Sequence, residues 1–296
     1  MTTVIIPAHN ESQVIGRLLR QLVPPDHSAG PKVIVVANGC TDDTPEVAAS
    51  FGGVQVLSIP VASKHQALLA GDLAAADLPR LYVDADIELR VADVEALAAA
   101  LRQPGILATA PERVLDLEGR PWPVRWYYDV WSRLPEVERG LFGRGVIAVD
   151  TPGHARLAGM PPLLADDLAA ALLFAPHERS IVRDARVVVH TPRSFGDLLR
   201  RRIRAVQGVA QIERAGYGPG ATARTRAADL IAIAASRPGM LPRVALFVSV
   251  AAIARLKAAR ALARGDFSTW QRDESSRRGA DHAAVAVRGS DAGRQA

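Results

Sequence analysis

Short apolar segments alternate with amphipathic helix patterns over the first 110 residues, and this alternation constrains the fold more than any other feature. Five segments are rich in β-branched residues and end at Pro, Gly, Asn or Asp, as buried strands do. They span residues 3–7, 32–37, 54–59, 81–84 and 106–110. Helical patterns lie between them, at residues 12–22, 44–51, 65–76 and 91–101. This order predicts an α/β fold with a mostly parallel, twisted sheet flanked by helices on both faces.

Composition sets bounds on what such a fold does. Of the 296 residues, 49% are hydrophobic and 23% are charged, the balance of a folded globular protein. The net charge of +5 is a modest excess that favours phosphorylated or anionic ligands. We expect no nucleic-acid partner, because no known groove-reading element is present. The single cysteine, Cys40, excludes an internal disulfide and suits a reducing, cytoplasmic compartment.

The pattern changes twice along the chain, which predicts three parts. Residues 1–192 contain the strand–helix alternation, a less regular middle and further strands in SIVRDARVVVHTP. Residues 193–272 form a basic, alanine-rich, amphipathic helical extension. Residues 273–296 are polar without apolar periodicity, and we expect a disordered tail there.

Any membrane contact is expected to be peripheral. The N-terminal segment MTTVIIPAHNE enters a strand pattern directly and lacks the regions of a secretion signal. The apolar segment VALFVSVAAIA has 11 residues, too few to cross a bilayer as a helix. The surrounding basic helices have an apolar stripe that includes Leu246, Val250 and Ile253. Amphipathicity of this kind favours contact with an anionic surface, here the inner face of the cytoplasmic membrane.

The segment LYVDADIEL places Asp84 and Asp86 directly after the fourth predicted strand. In sheets of this kind, ligands gather at the carboxyl ends of the strands. Two carboxylates on one side, with Ala85 pointing away, can converge on a hard divalent cation such as Mg²⁺ or Mn²⁺, which would neutralise a diphosphate. DxD alone is a weak pattern, because a turn or a cap of the next helix would also explain it.

Three other polar segments lie near strand ends. VIIPAHNE ends the first strand in Pro7 and continues to Glu11. VVANGCTDDT ends the second in Asn38, in a loop able to hold a base and ribose. SKHQALLAG places Lys64 before a helix, where the ammonium group and the helix N-terminus both favour phosphate oxygens. Each segment is unspecific when taken singly.

Together and in this order, the four segments resemble the nucleotide-sugar-binding half of the family 2 glycosyltransferases, enzymes of the GT-A fold. The resemblance extends from residue 3 to about residue 207 and is strongest in residues 4–86. It implies a metal-dependent enzyme in which Asp84 and Asp86 form the DxD motif, with Asp86 the more direct ligand of Mn²⁺ or Mg²⁺. The donor site would be lined by Pro7, Glu11, Asn38 and Lys64.

One position departs from that family's pattern. The family often has an aspartate where Asn38 stands, and that aspartate reads the N3 proton of uracil. An amide oxygen can accept the same proton, yet it could also suit another base. A UDP-linked sugar is therefore the first expectation for the donor.

PLLADDLAAALLF places Asp166 and Asp167 at the start of a predicted helix. Capping alone would explain them, since Asp is common at the N-cap and in the first turn. The resemblance implies more, because the pair looks like the family's Glu-Asp motif, whose second carboxylate is the general base. Asp167 would then activate a hydroxyl of a saccharide or lipid-linked acceptor, and the sugar would be transferred with inversion.

LLRRRIRAVQG contains Arg201 and Arg204, which fit the family's (Gln/Arg)-x-x-Arg-Trp pattern except that Ala205 replaces the tryptophan. On a helix the two arginines share one face and can pair with a diphosphate. Loss of the indole, which is expected to stack on the acceptor sugar, argues against processive polysaccharide synthesis. A solvated basic face or a lipid-binding patch is the alternative, and we favour it for Arg200 and Arg202.

Of three further features, the aromatic segment and His190 keep two interpretations each. The aromatic segment WPVRWYYDVW is either an acceptor platform or the core of a helix, because Tyr127 and Trp131 are four residues apart. RGLFGRG, residues 139–145, reads as a flexible loop beside the sugar. His190 ends a predicted strand, where it either completes a metal shell or is structural.

Other classes fit less well. Aspartyl phosphatases also use a strand-end DxD, but their DxD strand opens the chain and their lysine follows it, whereas Lys64 precedes Asp84. A dinucleotide-binding dehydrogenase needs a Gly-rich turn that PAHNESQVIG lacks. A catalytically silent nucleotide-sugar-binding homologue stays open, although the joint presence of Asp84, Asp86, Asp167 and Arg204 argues against it.

Overall fold

The computed structural model describes residues 1–24, 30–160, 166–214, 216 and 225–263, and a seven-stranded sheet forms its centre. The strands are β1 (Thr3–Ala8), β2 (Lys32–Asn38), β3 (Val54–Ile59), β4 (Arg80–Val83), β5 (Ala108–Asp116), β6 (Val146–Val149) and β7 (Arg179–His190). Their order across the sheet is β3-β2-β1-β4-β6-β5-β7. Only β6 runs antiparallel to its neighbours among these strands, β4 and β5. The predicted mostly parallel α/β sheet is confirmed.

The predicted strands agree well with the observed ones. β1 to β4 begin and end within one residue of the predicted segments, while β5 begins later and extends to Asp116. β6 was not predicted. It has only four residues, VIAV, after a glycine-rich segment, so its pairing with β4 and β5 is a tertiary effect that short-range periodicity does not reveal.

Eleven α-helices surround the sheet in the described part of the chain. They are α1 (Ile15–Leu22), α2 (Thr44–Ala49), α3 (Lys64–Ala74), α4 (Val91–Ala100), α5 (Trp122–Trp131), α6 (Pro135–Arg139), α7 (Thr151–Ala158), α8 (Asp166–Leu172), α9 (Phe195–Arg214), α10 (Ala227–Ser236) and α11 (Leu241–Ala263). The predicted helices α1 to α4 are present. Val14 and Asp43 occupy the N-cap positions of α1 and α2.

The two largest of five hydrophobic clusters among the described residues organise these elements. The first lies between the sheet and helices α1 and α4, and it includes Ile15, Leu81 and Leu97. The second joins α5 to the C-terminal helices, where Tyr127 stacks on Phe247 with ring centroids 4.8 Å apart. The aromatic segment is therefore largely helix core, because its buried face packs against α9, α10 and α11.

The first predicted border, after residue 192, lies between β7 and α9. The second, after residue 272, and the tail predicted for residues 273–296 lie outside the described residues. No helix in the described ranges combines the length and apolar character needed to span a membrane.

Candidate active site

The chain after β4 presents three carboxylates on one face. Asp84, Asp86 and Glu88 are partly exposed, whereas the alternate residues are buried. Those buried residues are Ala85, Ile87 and Leu89. Ala85 is 4% exposed while Asp84 and Asp86 are partly exposed, which agrees with the prediction that Ala85 points away, although residues 85 and 86 form a turn and not an extended strand. Glu88 shares this face and was not among the predicted site residues.

Lys64 lies directly against the first of these carboxylates. Its Nζ is 2.7 Å from Asp84 Oδ1, and both side chains are about one-third exposed. Lys64 is the first residue of α3, whose N-cap Ser63 accepts a hydrogen bond from the Gln66 amide. The ammonium group and the α3 N-terminus thus face the same carboxyl end of the sheet, as an anion site requires.

Gly145 packs directly against Asp84. The Asp84 N–H donates to the Gly145 carbonyl at 2.8 Å. Gly145 has φ of +68°, and a Cβ added there would lie 2.8 Å from Ile87 Cγ2 and 3.3 Å from Asp84 Oδ2. Both the backbone conformation and the close approach therefore require glycine at this position.

A cleft of about 820 Å³, including its open mouth, extends from these residues. Four of the predicted site residues line it: Pro7, Lys64, Asp84 and Asp167. Much of the remaining wall is apolar and comprises Leu68, Leu69, Leu141, Ile147, Leu157 and Met160. The cleft thus has a charged end at the sheet edge and an apolar wall formed by α3, β6 and the end of α7.

Asp167 reaches the cleft from the first turn of α8. Its Oδ2 accepts the Gly143 N–H at 2.9 Å, and its Oδ1 accepts the Leu168 N–H at 2.8 Å. The Asp167 side chain is otherwise exposed. Asp166 begins α8, and its side chain lies outside the described part of the structure.

Asn38 is the last residue of β2 and Glu11 follows the end of β1, and neither is among the residues that line the cleft. Asn38 is 3% exposed, and its Nδ2 donates to the Ala8 carbonyl at 2.8 Å and to the Val36 carbonyl at 3.4 Å. These two acceptors orient the amide and leave Oδ1 as the acceptor of this side chain. Glu11 is also buried, and its amide donates to Thr44 Oγ1 at 2.7 Å.

The loops after β1 and β2 are hydrogen-bonded to each other. Asn10 Oδ1 accepts the Thr41 N–H at 2.8 Å, and Asp42 accepts from Ser12 and Thr44. Burial alone would raise the pKa of Asp42, but these hydrogen bonds outweigh it and lower the pKa below its usual value. Asn10 and Ser12 thus join the loop after β1 to the loop after β2.

Glu88 and His190 lie in a second polar cluster, which Asp86 joins through its main-chain carbonyl. Arg17 donates to the Asp86 carbonyl at 3.2 Å and pairs with Glu88 at 3.4 Å. His190 Nε2 lies 3.2 Å from Glu88 Oε1, and its Nδ1 lies 2.9 Å from Asp116 Oδ2. Both ring nitrogens therefore contact carboxylates, and the ring ties β7 to the chain after β4.

Helix α9 places its arginines differently from one another. Arg201 Nη1 lies 3.5 Å from the His190 carbonyl, at the end of β7, and Arg204 follows one turn later. Arg200 pairs with Asp197. Arg202 lies over the ring of Tyr127, 5.8 Å from its centroid, so Arg202 packs on the core and does not belong to a solvated face.

A buried network beneath the cleft was missed by sequence reasoning. Asp72 accepts hydrogen bonds from Tyr82 at 2.8 Å and Arg80 at 2.9 Å, and His154 contacts both donors at 3.0 Å. Burial and the Asp72 charge raise the pKa of Tyr82, which therefore stays protonated. Local pattern could not have revealed it, because Asp72 of α3 and His154 of α7 meet Arg80 and Tyr82 of β4 only through the tertiary fold.

The donor atoms at the sheet edge suit a hard cation that is shared with a ligand. Within the described ranges, no group of three or more His, Cys, Asp or Glu side chains is placed to hold a metal ion. Asp84 and Asp86 offer carboxylate oxygens on one accessible face. Mg²⁺ is typically held by one or two carboxylates plus phosphate oxygens and water, so two carboxylates are sufficient.

The sequence comparisons agree with this geometry. Residues 3–157 match the family model of glycosyl transferase family 2. An uncharacterized glycosyltransferase of Mycobacterium bovis is 34% identical over 140 residues, which cover 45% of this chain and 62% of that protein. The chain thus matches less than two-thirds of the length of this relative.

Two solved structures share the fold. A mannosyltransferase from Pyrobaculum calidifontis, in complex with GDP-Man and Mn²⁺, has a TM-score of 0.56 at 23% identity over 89% of this chain and 79% of its own. Glucosyl-3-phosphoglycerate synthase from Mycobacterium tuberculosis, in complex with Mn²⁺, UDP-Glc and phosphoglyceric acid, has a TM-score of 0.54 at 20% identity. That alignment covers 74% of this chain and 81% of the synthase.

Proposed function

We propose that this chain, which belongs to glycosyl transferase family 2, transfers a sugar from a UDP-linked donor to an acceptor hydroxyl. The transfer would proceed with inversion and with a divalent cation. One observation carries the proposal. Lys64, Asp84 and Asp167, predicted separately from three distant segments, line a single cleft at the carboxyl end of the sheet. An electrophile held at Asp84 would therefore lie within the same cleft as the base.

The base-binding end supports a uracil-containing donor. Asn38 Nδ2 donates to two main-chain carbonyls, so Oδ1 would be the atom of this side chain that accepts from a ligand. An acceptor there matches the imide N3–H of uracil. Burial of Asn38 favours this pairing, since an unmatched base would leave a buried polar atom without its hydrogen bond.

Asp84 and Asp86 are the proposed ligands of Mn²⁺ or Mg²⁺, and structural relatives that bind Mn²⁺ with nucleotide sugars support the choice of metal. When bound, such a cation would supply positive charge to the diphosphate leaving group. Lys64 and the α3 N-terminus add charge on the same side, and Arg201 and Arg204 are proposed to contribute from α9.

Asp167 is the proposed general base. The acceptor oxygen attacks the anomeric carbon and loses its proton to the Asp167 carboxylate, while the bond to the nucleoside diphosphate breaks and the diphosphate leaves with the bonding electrons. Attack from the side opposite the leaving group inverts the anomeric configuration. The Gly143 and Leu168 amides, which hold the two carboxylate oxygens, direct the base into the cleft.

The apolar wall supports a lipid-linked acceptor over a free saccharide. Leu68, Leu69 and Leu157 would lie beside an acceptor whose hydroxyl reaches Asp167. A free saccharide would bring hydroxyl groups against these side chains without hydrogen-bond partners. The test compares methyl and octyl glycosides of one sugar: a lower KM for the octyl compound is expected, and equal KM values would count against a lipid arm.

Helix α11 supports peripheral attachment to an anionic membrane, although the stripe that we predicted is available only in part. Val250 is 0% exposed and packs against α5, so it is not available to a membrane. The exposed apolar residues of α11 are Leu241, Val248, Ile253 and Leu256. The helix contains no acidic residue, and Arg255, Lys257 and Arg260 flank these side chains. This combination suits anionic lipid headgroups.

The decisive experiment is turnover of nucleotide sugars by the full-length protein. UDP- and GDP-linked sugars are incubated with Mn²⁺ and an alkyl glycoside, and the anomeric configuration of the product is read by NMR. We expect transfer from a UDP-sugar with inversion. Tight binding of a UDP-sugar without turnover of any donor would instead identify a catalytically silent homologue. Preference for a GDP-linked sugar would overturn the assignment of uracil as the nucleobase of the donor.

A further inference from the structure

The loop of residues 140–145 joins the two acidic groups of the cleft. Gly143, at φ of +66°, donates its N–H to Asp167, and Gly145 accepts the N–H of Asp84. We predicted a flexible loop here. Instead, two arginines donate hydrogen bonds to carbonyls of the loop: Arg113 from β5 and Arg144 from the loop itself.

Both guanidinium groups bond main-chain carbonyls. Arg144 is 3% exposed and donates to the carbonyls of Gly140, Pro111 and Glu138 at 3.0, 2.8 and 2.8 Å. Arg113 donates to Val137 at 2.9 Å, to Phe142 at 3.2 Å and to Gly143 at 2.9 Å. Its guanidinium also lies 4.4 Å from the centroid of the Trp131 ring.

Arg113 stays charged in this setting. Burial and the nearby charges of Arg144 and Arg201 lower the pKa of Arg113 to about 9, and the charges of Tyr128 and Asp167 oppose this shift. A pKa in that range keeps the guanidinium protonated at neutral pH. The cation is therefore available to polarise the groups that it contacts.

One peptide group connects Arg113 to Asp167. The carbonyl of the Phe142–Gly143 peptide accepts from Arg113 Nη1, and the N–H of the same peptide donates to Asp167 Oδ2. A cation at the carbonyl end of a peptide makes its N–H a stronger donor, because hydrogen bonds in a chain polarise one another. Arg144 bonds other carbonyls of this region and does not contact that peptide group.

We propose that Arg113 is a positioning residue that acts through the Phe142–Gly143 peptide to hold the Asp167 carboxylate in the orientation needed for transfer. The inference rests on the proposed role of Asp167 as general base. Because Arg113 would act on Asp167 and not on the donor, its loss should affect turnover more than donor binding.

A double-mutant cycle tests this proposal. In the full-length protein, Arg113→Met is made alone and together with Asp167→Asn, and kcat, donor KM and UDP affinity are measured with Mn²⁺. Alone, Arg113→Met should lower kcat by about 10- to 100-fold, the range for outer-shell partners of a reactive group, with donor KM changed less than about twofold. In the Asp167→Asn background it should lower kcat no further, since interacting residues are not additive.

Arg144→Met is the matched control, because it removes a second guanidinium from the same loop. Its effect on kcat should be equal in both backgrounds. Arg113→Lys retains charge but not the three hydrogen bonds, and it should recover part of the lost kcat. It replaces Arg113→Met in the cycle if that variant does not fold.

The outcomes separate two failures. If Asp167→Asn lowers kcat but the loss from Arg113→Met is the same in both backgrounds, the relay is overturned and the base assignment stands. The relay is also overturned if Arg144→Met shows the same coupling to Asp167. If Asp167→Asn leaves turnover near normal, the proposed base fails and the inference fails with it.

Discussion

The two halves of the cleft are built in different ways. On the donor side, each polar group directly follows its own strand or begins the adjacent helix, as Asn38, Lys64 and Asp84 do. These elements are parallel neighbours, so local position alone brings the groups together. On the base side, Asp167 lies on a short helix and is held by a loop that depends on Arg113 from β5 and Arg144.

If the proposed roles are right, donor binding and sugar transfer depend on different kinds of contact. The donor side is a consequence of strand order, whereas the base side depends on hydrogen bonds between residues about 30 positions apart along the chain. Substitutions on the two sides should therefore separate donor binding from turnover.

The largest effect is expected from Asp86→Ala, on the donor side. Loss of a carboxylate from the proposed metal site should abolish the Mn²⁺-linked part of UDP binding, a larger loss than the roughly 10- to 100-fold typical of outer-shell changes. Calorimetry of UDP with and without Mn²⁺ measures this. Glu88→Gln, on the same face two residues later, is the control and should retain the linkage. Unchanged Mn²⁺-linked affinity in Asp86→Ala would remove that residue from the site.

On the base side, Asp167→Asn should keep donor binding and lower turnover by about 10² to 10⁴, the usual contribution of a general base. The amide keeps the shape of the side chain but cannot take the acceptor proton. Single-turnover kinetics with saturating donor measure the effect. Asp166→Asn is the comparison variant: if it loses the activity and Asp167→Asn does not, the base is Asp166.

The seam between the two sides is tested by Gly145→Ala. The new Cβ would press on Ile87 and Asp84 and should weaken UDP binding by about tenfold, or roughly 1.4 kcal/mol. Gly119→Ala is the control, because Gly119 has a similar φ of +64° with nothing within 4 Å of its added Cβ. It should cost only about 1 kcal/mol of unfolding free energy. Equal UDP affinity in the two variants would show that Gly145 does not shape the donor side.

The smallest effect is expected away from the cleft, on α11. Val248→Glu should weaken binding to anionic vesicles about fivefold, since one charge near such a surface is worth roughly 1 kcal/mol. Liposome flotation measures it, and catalysis in solution should be unaffected. Leu73→Glu is the matched control, because Leu73 is a 90% exposed apolar residue on α3. If both variants are recovered with anionic vesicles to the same extent as the wild type, α11 does not bind the membrane.

The donor side was largely predictable from local pattern. β-Branched runs that end in polar residues predicted β1 to β4, and the alternation around Ala85 predicted a shared face for Asp84 and Asp86. Resemblance to a family added the roles of these residues. Glu88 could have been found by continuing the same alternation by two residues.

The base side was predictable only in part. The Asp-Asp pair marked Asp167, but nothing near it in the chain indicated Gly143 as its partner. The glycines of residues 140–145 suggested mobility, yet two guanidinium groups bond the carbonyls of this loop. Of the two interpretations of the aromatic segment, the structure supports the helix core, since Tyr127 packs on Phe247 of α11.

Chain order and hydrophobic period thus established the α/β class, the parallel strands and the acidic sheet edge, because those properties arise from backbone geometry repeated over a few residues. The tertiary fold decided which distant groups meet: the antiparallel β6, the buried Asp72–Tyr82 network and the bonds from Arg113 to the loop beside Asp167. Such contacts depend on how whole elements pack, and packing distances are not encoded in any short segment.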